Sequence, residues 1–432
     1  MEHRRRLGGR FWSLWSSVGV SAIGDGMLTV AYPLLALRYT RSPVALSAVL
    51  VAQLVPSLLV AVPIGTAADR FNKQRLAVRI QVARLLVSGS FFMALVFHSI
   101  SLPFIYISAF AFGGLAMAFE VICGSSLSSV VKPDRVLQAN ARLMNAEMSA
   151  ENLIGHGLGG AALSLSSSIP FLTDTVGTAA SIALVRRAIK PDAPVRTSDS
   201  FLGEASKGIR WYLGQPSLRL LTIILASLAF CQSLVLALLA LYTRVNLGLS
   251  DTGYGLLLAV SSIGLPLGSL LAPRVHARLG PTRTIFAAGA AAAMVYPVMA
   301  LTTDPLVAAP ALMIEASAVV IGNVAGRSMR QELVPPTMQG RAASAYSLLI
   351  RGSQPFGAIC GGILGSVIGL DHTFMAAAAL QLVFVAVAGP RFTAEARRRR
   401  KMTADGWEPS PADKTGAGSS PMSDESVGTP GE

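Results

Sequence analysis

Long apolar runs alternate with short polar connections along the chain. Each run is roughly 20 residues, which as a helix crosses a hydrocarbon core of about 30 Å. They occupy 11–37, 43–66, 76–98, 102–126, 142–166 and 168–189, and after a polar stretch 218–243, 252–274, 283–301, 305–328, 342–368 and 371–390. The pattern predicts an all-α membrane protein of about twelve transmembrane helices in two pseudo-symmetric six-helix bundles. A membrane β-barrel would instead show short segments of alternating hydrophobicity. The first run is too long to be the core of a cleavable signal peptide, and the next follows after a short turn.

Composition agrees with this reading. Of 432 residues, 52% are hydrophobic and 14% charged, where a soluble domain carries about 25% charged. So little charge does not cover a water-facing surface. The net charge of +13 raises the question of a nucleic-acid partner, and its placement answers it. Basic residues precede the first run (Arg4, Arg5, Arg6, Arg10) and then fill every second connection: Arg70, Lys73 and Arg75; Lys132 and Arg135; the stretch from Arg186 to Arg210; Arg274 and Arg278; Arg327, Arg330 and Arg341; Arg397 to Lys401. The intervening connections hold little beyond Arg38, Arg41 and Arg244. This positive-inside asymmetry predicts a multi-pass protein of the plasma membrane with both termini cytoplasmic and no nucleic-acid partner. Cys123, Cys231 and Cys360 lie inside apolar runs without metal-ligand spacing and read as packing residues. No metal or other cofactor is expected.

The two halves echo one another. Pro63-Ile64-Gly65 returns 203 residues later as Pro266-Leu267-Gly268. At an offset of 202, Pro133 matches Pro335, Gly155 matches Gly357, and Gly159-Gly160 matches Gly361-Gly362. Parallel repeats of this kind place a substrate path between the halves near mid-membrane, with alternating access by rocking. The expected organisation is a basic N-terminus (1–10), a first bundle (11–189), a central connection (190–216), a second bundle (217–390) and a tail (391–432). In the connection, Asp199 is placed to cap a helix, and Leu202, Ala205, Ile209 and Tyr212 recur at helical spacing beside Lys207 and Arg210. That spacing fits either an amphipathic helix on the inner membrane surface or an ordinary solvated linker helix. From Thr403 the tail is rich in Pro, Gly, Ser and acidic residues and is expected to be disordered. The Arg397–Lys401 run before it is suited to anionic headgroups.

The connection after the second run reads Gly65-Thr66-Ala67-Ala68-Asp69-Arg70-Phe71-Asn72-Lys73-Gln74-Arg75. It resembles the loop between helices 2 and 3 that characterises the major facilitator superfamily. The resemblance implies a conformational latch. Gly65 would let two helices approach closely, Asp69 would accept from the N-terminus of helix 11, and Arg70, Lys73 and Arg75 would supply cations. Asn72 stands where the pattern prefers Gly, and it too tolerates a left-handed turn. Gly24-Asp25-Gly26, Val131-Lys132-Pro133-Asp134-Arg135, Ala139-Asn140-Ala141, Glu332-Leu333-Val334-Pro335 and Gly340-Arg341-Ala342 resemble the efflux branch that includes bacterial macrolide and siderophore exporters. Gly155-His156-Gly157-Leu158-Gly159-Gly160 is similar to the glycine-proline run in helix 5 of antiporters. His156 replaces the proline, while Gly155, Gly159 and Gly160 keep helix packing close.

An ionisable side chain inside the bilayer is costly unless paired or hydrated, so each is a functional candidate. Asp25, Glu120 and Glu315 fall on helices 1, 4 and 10, which the resemblance implies line the cavity with helix 7. Each either binds substrate or protons, or pairs with an arginine to hold the bundle together. Glu147 and Glu151, at i and i+4 on helix 5, either share a proton or meet the counter-charge Arg351 of helix 11. His156 is a titrating group or a packed one, and Asp174 is read as structural. No phosphate-binding loop, metal spacing or Ser-His-Asp set marks an enzyme, which leaves an ion gradient as the energy source. The expectation is a proton-coupled exporter of amphipathic, cationic small molecules (drug, antibiotic or siderophore). A small-metabolite importer or uniporter of the same fold, and a non-transporting sensor or scaffold, are the alternatives.

Overall fold

The structure is a computed structural model describing residues 7–190, 210–335 and 338–404, with backbone alone at 61, 62, 66, 69, 340, 341 and 390–404. Among the described residues there is no strand, and long helices make up most of both halves. In the first half these are α1 (Gly9–Ala36), α2 (Pro43–Arg70), α3 (Lys73–Val96), α4 (Leu102–Val130), α5 (136–165) and α6 (Ile169–Ala188). In the second they are α7 (Pro216–Val245), α8 (251–279), α9 (281–301), α10 (Pro305–Leu333), α11 (Gln339–Val367) and α12 (Leu370–Ala404).

Local chemistry sets the boundaries. Ser42, Asn72, Ser250 and Asp304 each cap a helix by accepting from a backbone N–H of its first turn, which satisfies one of the free donors there. Gly280 separates α8 from α9 at φ 74° and ψ 165°, a left-handed backbone that glycine adopts without a Cβ penalty, and Pro281 opens the next helix. Eight stretches are individually long and apolar enough to cross a bilayer, the 51-residue Asp251–Leu301 counting as one. The runs below that threshold are α5, α6 and α11. They carry Arg142, Glu147, Glu151, Asp174 and Arg351, polar groups that lower their hydropathy because these helices also face the protein interior.

The repeated glycines explain how the halves assemble. A Cβ placed on Gly155 would lie 2.8 Å from the Gly26 Cα, and one on Gly159 would lie 2.9 Å from the Met27 Cα, so α5 presses directly on α1. In the second half Gly357 and Gly361 press on the backbones of Phe230 and Leu234 in α7. The next glycine of each motif crosses between halves. Gly160 sits against Gly255 of α8, 2.8 Å from a Cβ position to its Cα, and Gly362 sits against Ser47 of α2. Backbones come this close only where side chains are absent.

Two expectations need correction. Residues 391–404, assigned from the sequence to a disordered tail, continue α12 as helix to Ala404. Ala394, Glu395, Ala396 and the Arg397–Lys401 run are strong helix formers and carry the helix past the apolar segment. Tyr212, placed from the sequence on a linker helix either at the membrane surface or in solvent, is fully buried with Leu218, Leu221, Ile285 and Tyr346 of the second bundle, and its hydroxyl accepts from Thr222 Oγ1 at 2.9 Å. Asp199, Leu202, Ala205, Lys207 and Ile209 lie outside the described residues, as does the tail from 405.

Candidate functional site

The connections α2–α3, α4–α5, α8–α9 and α10–α11 lie at one end of the bundle, here called the basic end for the arginines and lysines they carry. A cavity of about 410 Å3 lies between the halves toward this end, walled by α1, α4, α5 and Arg351 of α11.

Its deepest feature is built by three consecutive residues of α1. Gly24 leaves room for the Asp174 carboxylate of α6, and Gly26 leaves room for the Glu151 backbone carbonyl of α5. Between them Asp25 reaches Arg84 of α3. Arg84 is 1% exposed and also bonds Asp174 Oδ1 at 2.9 Å and Ser21 Oγ at 2.9 Å. The Phe112 ring lies beneath its guanidinium, 5.1 Å from the ring centroid. Two carboxylates share one guanidinium, and Asp25, 21% exposed, is the member that lines the cavity. A buried network extends from it. Gln81 Nε2 donates to Ser181 Oγ at 2.7 Å, and Ser181 meets Ser17 of α1 at 2.7 Å. Such a cluster costs desolvation, and removing one partner costs more than keeping all three.

Nearer the mouth, Arg351 Nη2 of α11 lies 3.5 Å from Glu120 Oε1 of α4, an ion pair between the two halves. The counter-charge weighed for Glu147 or Glu151 therefore pairs with Glu120. Glu147 and Glu151 line the same cavity, and their carboxylates make no ion pair or side-chain hydrogen bond among the described residues. The α5 segment Ser149–Gly155 is a π-helix, in which the His156 N–H bonds the Glu151 carbonyl five residues back. The widened turn pushes that carbonyl against Gly26, and π-bulges are frequent at functional sites.

Glu315 and His156 are in a different place. They line a second cavity of about 170 Å3 formed by α5 of the first half and α7–α10 of the second. Glu315 of α10 is 7% exposed and accepts from Gln232 Nε2 of α7 at 3.1 Å. Among the described residues no group of three or more His, Cys, Asp or Glu is placed to hold a metal ion.

The end away from the basic connections is closed by charge. Asp251, at the start of α8, pairs with Arg38 of the first half and Arg244 of the second, each at 3.1 Å. Arg38 also donates to Ser167. A Cβ on Gly65 would meet nothing within 4 Å, so the close approach expected there is not made in this conformation. Asp69 lies in the last turn of α2 with its side chain outside the description. Arg70 and Arg75 are exposed, and Lys73 donates to the Ser125 carbonyl at 3.0 Å. Asn72 adopts φ −62° and ψ 113° and caps α3 by accepting from the Arg75 N–H at 3.0 Å. The left-handed turn that Asn tolerates is not used here, because capping requires an extended backbone.

Sequence reasoning passed over Arg84 and the Arg38–Asp251–Arg244 cluster. Arg84 did carry a signal, being an arginine twelve residues into the α3 helix within a candidate span. The pairing of Asp251 with Arg38 carried none, since it joins residues 213 positions apart.

Comparison with known proteins agrees with this architecture. Residues 8–415 match the family described as transmembrane secretion effector. The multidrug efflux pump Tap of Mycolicibacterium fortuitum is 25% identical over 386 residues, covering 84% of this chain and 91% of Tap. Among solved structures, a bacterial homologue of the iron transporter ferroportin superposes in its inward-facing state with a TM-score of 0.69 (16% identity, 89% of this chain and 98% of that one). In its outward-facing state the score is 0.58 (19% identity, 89% and 98%). A bacterial homologue of the human lysosomal transporter Spinster, inward-facing and occupied, gives 0.69 (14% identity, 93% and 98%). A cavity between two six-helix halves, a bundle of apolar helices and a match spanning nearly the whole chain lead to one assignment: the chain is a multi-pass membrane transporter of the major facilitator superfamily, in the transmembrane secretion effector family.

Proposed function

We propose that the protein exports cationic, amphiphilic small molecules across the plasma membrane in exchange for protons, with its basic end in the cytoplasm. The carrying observation is the charge of the larger cavity. Asp25, Glu120, Glu147 and Glu151 line it, the first two paired with Arg84 and Arg351, and Val18, Ala22, Phe119, Leu143 and Met148 supply apolar wall. An acidic site with apolar walls favours a cation carrying a hydrophobic body, and the volume of about 410 Å3 lies within the range of about 300–1,000 Å3 common for small-molecule sites. Likeness to a multidrug efflux pump supports the outward direction, and the basic connections support the orientation. Exchange follows from elementary electrostatics: an arriving cation favours the ionised carboxylate and expels its proton, and a departing one favours protonation.

The test uses ethidium, a lipophilic cation, with purified protein in proteoliposomes. A proton gradient is expected to drive ethidium against its concentration gradient, and Glu120→Gln is expected to weaken its binding. A wild-type protein that moves ethidium under no gradient of either sign overturns the proposal. Accumulation only under the reversed gradient would make the protein an importer.

A further inference from the structure

Of the four carboxylates in the larger cavity, two are already engaged. Asp25 meets Arg84, and Glu120 meets Arg351. Glu147 and Glu151 have no such partner among the described residues, and both line the cavity. A carboxylate facing an enclosed space without a counter-charge favours a cation that arrives from outside. The two are four residues apart on α5, so they stand one above the other on one face, about 6 Å apart along the helix axis.

Beside this acidic row runs a second one. Asn140, Met144 and Met148 recur at the same spacing and line the same cavity. Met144 is 39% exposed and Met148 40%, whereas Leu143, in line with the carboxylates, is 5% exposed. The apolar surface that α5 offers to a ligand is therefore mostly thioether. Asn140 Nδ2 lies 3.5 Å from Met144 Sδ and steadies one end of the row. Thioethers are polarizable and make favourable contacts with aromatic rings, and three rotatable bonds let the side chain follow rings of different outline. A branched aliphatic wall would give area without either property.

The two rows lie side by side along one helix, so a flat ring laid against Met144 and Met148 brings a nitrogen at its edge to Glu147 and Glu151. Phe119 of α4 adds an aromatic ring to the wall of the same cavity. We infer that α5 carries the cargo subsite for planar aromatic cations, with Glu147 and Glu151 taking the charge and Met144 and Met148 the ring face. Asp25 and Glu120 then serve as internal partners of Arg84 and Arg351 rather than as the seat of the cation. This deepens the proposed export function and rests on it for the direction and energy of transport, while binding itself depends on neither.

The test is equilibrium binding to the detergent-solubilised full chain, with no gradient present, using ethidium and the aliphatic cation tetrabutylammonium. Met144→Leu together with Met148→Leu keeps volume and apolarity. It is expected to weaken ethidium roughly five-fold and to leave tetrabutylammonium unchanged. Glu147→Gln with Glu151→Gln is expected to weaken both cations roughly ten-fold or more. Glu120→Gln, which frees the Arg351 guanidinium, is expected to weaken both by the same factor. Single variants at each α5 position, folded by their size-exclusion profile, are expected to show part of each loss. Equal loss of both cations on the methionine replacements, or no loss, overturns the ring subsite. Wild-type affinity after both glutamate replacements overturns the charge assignment, and failure of the wild-type protein to bind ethidium overturns the subsite as a whole. If the binding pattern holds while proteoliposomes move no ethidium, the export reading fails and the subsite stands. If ethidium is pumped and every α5 variant binds it as wild type does, the subsite fails and the export reading stands.

Discussion

Arg38 and Asp251 sit 3.1 Å apart and belong to opposite halves of the transporter. Arg244 holds the other oxygen of the same carboxylate. This cluster must part before the end away from the basic connections opens. Asp251→Asn leaves two arginines facing each other with no anion between them. Pairs this exposed contribute roughly 0.2–1 kcal/mol, so the conformational ratio is expected to shift up to about five-fold toward opening. Labelling of Ser47→Cys by a membrane-impermeant maleimide, in a chain freed of its three cysteines, measures it. Equal rates with and without Asp251→Asn would remove the latch role.

The Arg84 cluster predicts a larger effect of a different kind. Arg84→Met strands Asp174, itself 1% exposed, and loss of one partner of a buried pair costs about 3–5 kcal/mol. Thermal unfolding in detergent is expected to show a marked fall in midpoint. The double variant Arg84→Met with Asp174→Asn is expected to recover part of it. No recovery would mean that the guanidinium matters for packing against Phe112 rather than for charge.

Asp69→Asn is expected to impair transport while leaving the protein folded and in the membrane, because a latch at the basic end is needed only in the conformation where that end closes. Normal ethidium transport by this variant would contradict the latch.

Orientation has its own check. A reporter fused after Lys401 is expected to signal from the cytoplasm, and one inserted between Arg244 and Asp251 from outside. The reverse pattern would invert the proposed direction of transport.

The helices were legible because hydropathy over twenty residues does not depend on neighbours, and their order follows from the chain. The paired glycines were legible for a related reason, since a shared offset survives in one dimension. Pairings between helices were not. Whether Arg351 meets Glu120, Glu147 or Glu151 depends on how α4, α5 and α11 are rotated and tilted, and all three distances satisfy the same sequence. The same holds for the separation of Glu315 from Asp25 and Glu120: charge inside an apolar run marks a candidate without saying which cavity it enters. The overrun of α12 to Ala404 was misjudged because the polar composition of 391–404 marks an exit from the membrane, and composition alone does not mark the end of a helix.

The contacts of Gly160 with Gly255 and of Gly362 with Ser47 have a kinetic meaning. Where two helices meet through interlocked large side chains, separating them requires each side chain to find a new rotamer, and the surface they leave must repack. At Gly160 the meeting is backbone against backbone, and at Gly362 it is against the small Ser47 side chain, so these two points have little to reset. The halves part and rejoin at these two points without rotamer changes, and the Arg38–Asp251 pair adds its own resistance at that end. Dissolved salt weakens that pair, so opening is expected to quicken with ionic strength on the side where Arg38 meets Asp251.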